Sequence, residues 1–557
     1  MNKSETTIAK SKSSASVAIE NPVLRGFNPD PSMIRAGDTY YIAVSSFQWL
    51  PGIRIYESKN LTEWDHLTDV LTDQVELAGS PHNCSIWAPQ LSYADGLFHL
   101  VYTDVKSTRR PFKDVQNYLI TAPKMDGPWS EPVYLNGVGF DPSLFHDEDG
   151  RKWLLNVLWD HRIPEGNKSV GITAQEYDPE LRQLIGRPVR IFEGTELRKT
   201  EAPHLYRHEG WYYLITAEGG TGTGHAVTVA RSRELLGPYE VDPRNPMMTS
   251  SDRPDWPLQC AGHASLVKTP GGDWIIAHLC TRPVEENDAI LGRETALQRV
   301  EWDSDGWLRL CGGGHTPQLE FHVPAEYAER SDMNGAAGKT GTSLQSSEAK
   351  IRGFAGGRFQ DEFDGAKLHK GWNSPRVLPN ESWCSLDARP GYLRLTAGES
   401  PQSLFHHHLL AVRQTDFAFR AETSLDYQPE SFLHMAGLML YLSESRYLYA
   451  AVSCDEHQGR VLSVMRAEDE TFEQLTQPIA VDGHEEIGLA VEVNGNEAQF
   501  LYRVGEADEW AALGDLCHIG FLSGGFTGCF VGIGVHDMQR LHGSYADFGY
   551  FRYEGRG

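Results

Sequence analysis

A hairpin phrase that recurs five times in the amino-terminal half of this chain constrains its fold more than any other feature. The first copy, GFNPDPSMIRAGDTYYIAVSSF from Gly26, reads as a carboxylate on a tight turn, a strand, a turn at Ala36-Gly37-Asp38 and a second strand. Proline on each side of Asp30 sets backbone φ and removes amide donors, so the carboxylate precedes a strand and does not lie inside one. Tyr40-Tyr41-Ile42-Ala43-Val44 supplies the aromatic and β-branched residues of a paired strand. The phrase returns as WAPQLSYADGLFHLVYTDV from Trp87, FDPSLFHDEDGRKWLLNVLW from Phe140, EAPHLYRHEGWYYLITAEGG from Glu201 and GHASLVKTPGGDWIIAHL from Gly262. Aligned on Pro31, Pro89, Pro142, Pro203 and Ala264, the copies stand 58, 53, 61 and 61 residues apart. Strand-rich tails recur as well: RIYESKNLTEWDHL from Arg54, YLITAPKMDGPWSEPVYL from Tyr118 and TVARSRELLGPYEV from Thr228. Two hairpins per unit at this period, without helical patterning, predict a five-bladed β-propeller over residues 21–323.

In a propeller the innermost strand of each blade lines a central channel, so equivalent positions converge on the axis. At or beside that position stand Asp30, Ala88, Asp141, Glu201 and His263. Gly, Ser or Ala would fill such an axis at no electrostatic expense. Three acids brought together repel and desolvate one another, a cost met at functional sites.

At 557 residues the chain exceeds a single core, so a second domain is expected. The segment SDMNGAAGKTGTSLQSSEAK from Ser331 has the composition of a flexible linker, and 324–358 is read as the connection. From Phe359 onward, stretches such as GYLRLTAG, DFAFRAETSLDY, AGLMLYLS and CFVGIGVHD lack the blade motif and read as a β-sandwich over residues 359–557, of concanavalin-like or jelly-roll type. The class is therefore all-β. The run His406 to His408 lacks metal-ligand spacing and reads as strand surface.

Residues 1–20 are polar, without the apolar core of a signal peptide, and read as a disordered tail. The absence of any long apolar run argues against a membrane span, and the expected location is cytoplasmic. A formal charge of −26, from 76 acidic and 50 basic residues, argues against nucleic acid, anionic membrane and polyanionic substrates, and fits a neutral ligand. The eight scattered cysteines show no CxxC spacing and read as reduced thiols.

Several of these motifs, in order, carry a family resemblance: NPDPS at Asn28, SSFQWLPGIRIYESKNLTEW, IWAPQLSYADG, FDPSLF at Phe140, TEAPHLY at Thr200, CGHASLV at Cys260, LGRET at Leu291 and GGFTGCFVGI near the end. Together they resemble the long, two-domain β-xylosidases of glycoside hydrolase family 43 over nearly the whole chain. The resemblance implies a five-bladed propeller with an appended sandwich. It also implies inverting, exo-acting release of xylose from xylo-oligosaccharides, often with activity on α-L-arabinofuranosides.

Inversion needs a base that activates water on one face of the sugar and an acid that protonates the leaving oxygen on the other. Asp30 matches the family's general base, Glu201 its general acid and Asp141 the third acid, which keeps Glu201 protonated by like-charge repulsion. Arg293 matches a sugar-binding arginine whose donors also keep Asp30 ionised. Phe47, Trp87, Trp159 and Thr221 match pocket positions, and Phe526 matches the residue by which the second domain closes the pocket; the alternative for the aromatic residues is core packing. His263 resembles an axial histidine. No metal or cofactor is expected to be required, although the family leaves room for a calcium or sodium ion near His263. The expected ligand is a xylo-oligosaccharide or arabinoside, and the expected assembly a homo-oligomer, dimer or tetramer. Gln90 departs from the family's usual WAPD. Three other readings stay open: a mainly α-L-arabinofuranosidase enzyme, a retaining β-fructosidase and a non-catalytic sugar-binding propeller. The E-A-P and N-P-D-P-S contexts differ from those usual in fructosidases.

Overall fold

The computed structural model describes residues 16–285, 288–324, 357–481, 486–505, 507, 509–539 and 543–556. Among them every regular element is a strand, and no helix is long and apolar enough to cross a membrane. The five repeats form five antiparallel sheets, each made of consecutive strands. The first blade comprises Ser32–Ala36, Thr39–Val44, Ile53–Ser58 and Asp65–Val70 in that order. The other four begin with Ser85–Ala94, Ser143–His146, Glu201–His208 and Gln259–Lys268. These first strands neighbour one another around a ring, so the fold is a five-bladed propeller.

Side chains just past the aligned position stitch neighbouring blades. Ser32 Oγ accepts the Leu91 N–H (2.9 Å), Gln90 Oε1 accepts that of Leu144 (2.9 Å) and Ser265 Oγ accepts that of Met33 (2.8 Å). Gln90 also donates to Leu91 O at 2.7 Å, so a neutral amide both accepts and donates here, which a carboxylate could not do. The ring closes without exchanging a strand between the first and last blades. Ser265 O–H donates to Pro31 O, Asn28 N–H donates to Arg293 O, and Leu24 bridges Thr295. Outside the ring, Ser16–Glu20 pairs antiparallel with Glu320–Pro324. The expected tail over 1–20 is therefore too long: residues 16–20, SVAIE, are a strand that buries Ile19. The expected linker at 331–350 lies outside the described residues.

The carboxy-terminal half forms two facing sheets around an apolar core that includes Leu438, Leu440, Phe500 and Phe548. The sheet containing His434–Ser443 is covered on both faces, with Leu438, Leu440 and Leu442 pointing into the sandwich. Met439 and Tyr441 point to the propeller, where they meet Phe27, Phe47 and Trp49. This is why LMLYL reads as a continuous apolar run. Trp49 stacks on Phe530 with ring centroids 3.6 Å apart and meets Tyr441 edge-on. Beside them, propeller strand Trp49–Leu50 pairs with Ser374–Pro375 of the second domain, so one core and one ladder span both halves.

The His406 to His408 run does not lie on strand surface. It precedes strand Leu409–Arg413, and His407 is buried, with its ring against Tyr441 and His536. No disulfide joins the eight cysteines.

Removing the shared aromatic at the interface leaves a cavity that neither rigid sheet can fill. Trp49→Ala is expected to lower stability by about 3–5 kcal/mol, read as a loss of Tm and faster proteolysis between the domains. A native-like Tm would contradict the shared-core description.

Candidate functional site

The five aligned positions share one backbone state. Asp30, Ala88, Asp141, Ala202 and His263 have φ of 54°, 30°, 53°, 51° and 52°, a left-handed conformation costly for residues with a Cβ. The kink recurs where each blade enters its innermost strand. In the fourth blade the residue at the kink is Ala202 and the acid stands one place earlier, at Glu201.

Around these kinks lies a cavity of about 430 Å³. Asp30, Asp141, Glu201, Arg293, Phe47, Trp87, Trp159, Thr221, His263 and Phe526 all line it, so the catalytic and sugar-binding candidates of the sequence reach one hollow. That volume is within the range of small-molecule sites.

Asp30 is held most tightly. Arg293 grips both its oxygens, NH1 to Oδ1 at 2.6 Å and NH2 to Oδ2 at 3.2 Å. Ser45 O–H donates to Oδ2 at 2.7 Å, and His263 Nδ1 lies 3.4 Å from Oδ1. Burial alone would raise this carboxyl's pKa. The Arg293 charge, then His263 and Ser45, outweigh burial and hold it below the ordinary aspartate value. Burial also lowers the pKa of His263, which favours its neutral form.

Asp141 and Glu201 are shifted the other way. Burial, then the charges of Glu201 and Asp30, keep Asp141 well above the usual carboxylate range, although Ala202 N–H donates to its Oδ2 at 3.1 Å. Burial pushes Glu201 up to about 7; Lys113 opposes the rise and the Asp30 charge adds to it. The two acids titrate as a pair that retains a proton near neutrality. Burial biases both members of this pair toward the protonated form, and Glu201 is the one that points its carboxyl into the cavity without a backbone donor. One cavity thus presents an ionised carboxylate and a protonated carboxyl, the set needed for general base and general acid.

Aromatic rings form the wall. Phe47 stacks with Phe526 at 5.8 Å, and Trp87 meets Phe526 edge-on at 5.4 Å. Phe526 comes from the second domain. Its N–H donates to Asn83 Oδ1 (2.7 Å) and its carbonyl accepts Arg293 Nε (3.1 Å), so the same arginine holds Asp30 and the loop that closes the pocket. The two domains touch backbone to backbone here: a Cβ on Gly292 would stand 2.6 Å from Gly528 Cα, and Gly292 has φ of 75°.

Sequence reasoning missed several lining residues. Lys113 is the most consequential: its Nζ lies over the rings of Phe140 (4.1 Å), Trp159 (4.5 Å) and Trp87 (4.9 Å), and burial lowers its pKa while Glu201 and Asp141 raise it. It belongs to a loop outside the repeat, so nothing in the phrase marks it. Phe140, directly before Asp141, was legible; Arg110, Asn167, Ser169 and Lys199 were not. Glu218, a fully buried fourth acid, accepts from Thr195 N–H and Thr200 O–H and braces the turn before Glu201.

Few side-chain donors surround the axis at His263, where the resemblance allows for a cation. His263 is turned toward Asp30 and meets His204 edge-on at 6.5 Å, and among the described residues no three His, Cys, Asp or Glu side chains converge to hold a metal. Calcium takes roughly six to eight oxygen ligands.

Comparison with known proteins accords with this geometry. Residues 19–308 match the model of glycosyl hydrolases family 43, and residues 360–554 match the beta xylosidase C-terminal concanavalin A-like domain. The chain is 40% identical to xylosidase/arabinosidase 43B of Humicola insolens (96% of this chain, 97% of that protein) and 40% identical to a beta-xylosidase of Bacillus subtilis (96% and 99%). The crystal structure of xylan beta-1,4-xylosidase from Bacillus halodurans is 42% identical, covers 96% of this chain and 100% of that one, and superposes with a TM-score of 0.88. By family model, by relatives across nearly its whole length and by architecture, this chain belongs to glycosyl hydrolase family 43 and is a glycoside hydrolase.

Proposed function

We propose that the enzyme is an inverting exo-β-xylosidase. It removes D-xylose from the non-reducing end of β-1,4-xylo-oligosaccharides, with α-L-arabinofuranosidase as a second activity. The observation that carries this reading is the opposite protonation bias of Asp30 and Glu201 across one cavity closed by Phe526. Relatives named β-xylosidase and xylosidase/arabinosidase, similar over nearly their full length, support the substrate class.

In this mechanism the terminal xylose lies against Phe47 and Trp87, with its anomeric carbon between the two acids. Asp30, kept ionised by Arg293, takes a proton from water as that water attacks the anomeric carbon. Glu201 gives its proton to the glycosidic oxygen as the bond breaks, which completes a single displacement with inversion. Glu201's carboxyl makes no hydrogen bond within the described residues, so its proton is available to the leaving oxygen. Asp141 holds the Ala202 amide beside Glu201, and the coupling between the two acids keeps a proton on the pair. Closure by the second domain leaves room at one end of the sugar, which makes cleavage exo-acting.

Proton NMR of xylobiose hydrolysis is expected to show α-xylose as the first-formed anomer of the released unit; β-xylose first would rule out inversion. Glu201→Ala should lose about 10²–10⁴ in kcat on xylobiose yet retain most activity on a dinitrophenyl xyloside, whose leaving group needs no proton. Asp30→Ala should fail on both substrates. Equal losses for Glu201→Ala on the two substrates would contradict the acid role.

The pH profile follows from the same shifts. The active form has Glu201 protonated and Asp30 ionised, so kcat/KM should fall as pH rises through about 7. On the acid side it should fall only below the ordinary aspartate range, because Asp30 is held low. Arg293→Gln removes the counter-charge, and the acid limb should move to higher pH along with a large loss of rate. An unmoved acid limb would assign it to another group.

A further inference from the structure

We propose that a small inorganic anion binds between the two domains, held by the guanidinium groups of Arg54 and Arg413. A cavity of about 90 Å³ lies there, lined from the propeller by Arg25, Arg54 and Tyr56 and from the second domain by Arg413 and Thr415. It shares no lining residue with the active-site cavity. A cavity of this size has room for a small anion such as chloride or phosphate.

The charges around it do not balance. Arg413 is 7% exposed, and among the described residues no carboxylate stands within ion-pairing distance of it. Its Nε donates to Phe27 O (2.8 Å) and its NH1 to Asn373 Oδ1 (3.0 Å). The same Asn373 oxygen accepts from Arg54 NH2 at 3.4 Å, so two buried guanidinium groups converge on one neutral acceptor. Arg54 pairs with Asp69 at 3.1 Å, and that carboxylate also faces His66 Nε2 at 3.0 Å. His66 adds no charge near neutral pH, since burial and then Arg54 push it down to about 4. Two buried arginines therefore share one paired carboxylate, with Arg25 also lining the cavity; the other buried carboxylate nearby, Asp416, is taken up by Thr415 O–H, Gly357 N–H and Tyr553 O–H. Burial, then the Arg54 charge, draws Arg413 down to about 9, which still leaves it cationic at neutral pH. Two buried cations sharing one carboxylate are short of counter-charge, and an anion in the adjoining cavity supplies it.

The location links the anion to domain docking. Arg413 binds the carbonyl of Phe27, and the next residue, Asn28, accepts Tyr56 O–H at 2.7 Å and donates its N–H to Arg293 O at 2.9 Å, two residues before Asp30. The anion thus reinforces the contact by which the second domain holds the turn carrying Asp30.

Crystals of the full chain soaked in bromide should show an anomalous peak within hydrogen-bonding reach of Arg413. Water alone there, or a carboxylate of the chain itself, would overturn the proposal. In solution, exchanging gluconate for chloride at constant ionic strength, or adding inorganic phosphate, should raise Tm by about 1–2 °C. Arg413→Lys should at least halve that shift, and comparison of the two salts shows which ion the site prefers. Equal shifts in both proteins, or a bromide peak with no Tm response (binding at crystal concentration only), would also overturn it.

Discussion

Three carboxylates enclosed in one cavity cannot all carry charge, and the surroundings of each decide which of them does. Asp30 receives a two-pronged guanidinium and a hydroxyl, and so remains an anion despite full burial. Asp141 and Glu201 accept no guanidinium hydrogen bond, feel the Asp30 charge, and keep a proton between them. Lys113 moderates this from the aromatic wall. Base and acid therefore follow from one asymmetry: Arg293 bonds Asp30 directly and acts on Glu201 only at a distance. The same asymmetry carries a structural obligation. Arg293 is nearly fully buried, so its remaining donor must be satisfied, and the carbonyl of Phe526 accepts from it.

That bond makes the second domain part of the site. The sandwich sheet facing the propeller is apolar on both sides, which commits it to a partner as firmly as to its own core. The contact at Gly292 and Gly528 lets the two backbones approach closely enough for Phe526 to stack on Phe47. The propeller alone would leave Phe47 and Trp87 open to solvent on that side and Arg293 short of an acceptor. Closure by a loop from another domain converts the mouth of an axial channel into a pocket for a chain end.

Much of this was legible in the chain. The hairpin phrase is written by local chemistry: prolines flanking an acid, a two-residue turn at Gly37-Asp38 and β-branched and aromatic runs. Its repetition then specifies blade number. The aromatic pocket positions were legible through motif context, since SSF, IWAP and GGFTGCF stand beside the repeated strands. Residues set by loops were not. Lys113 lies outside the phrase, and its role arises only because three rings from two blades meet beneath it. The triple histidine misled for a similar reason: polarity suggests surface, while His407 is enclosed by rings brought from distant strands. The strand Ser16–Glu20 was equally hidden, because a segment of five residues acquires strand structure only when Glu320–Pro324 lies beside it.

By itself the sequence determined the strand content, the count of blades, the second β domain and the identity of the three acids, because each depends on residue type and spacing along the chain. Only the tertiary structure decided which acid is charged, how the pocket is closed and where unpaired cations collect. Those properties depend on distances between groups hundreds of residues apart, such as Arg293 to Asp30 or Arg413 to Phe27, and on the burial that strengthens every charge interaction among them.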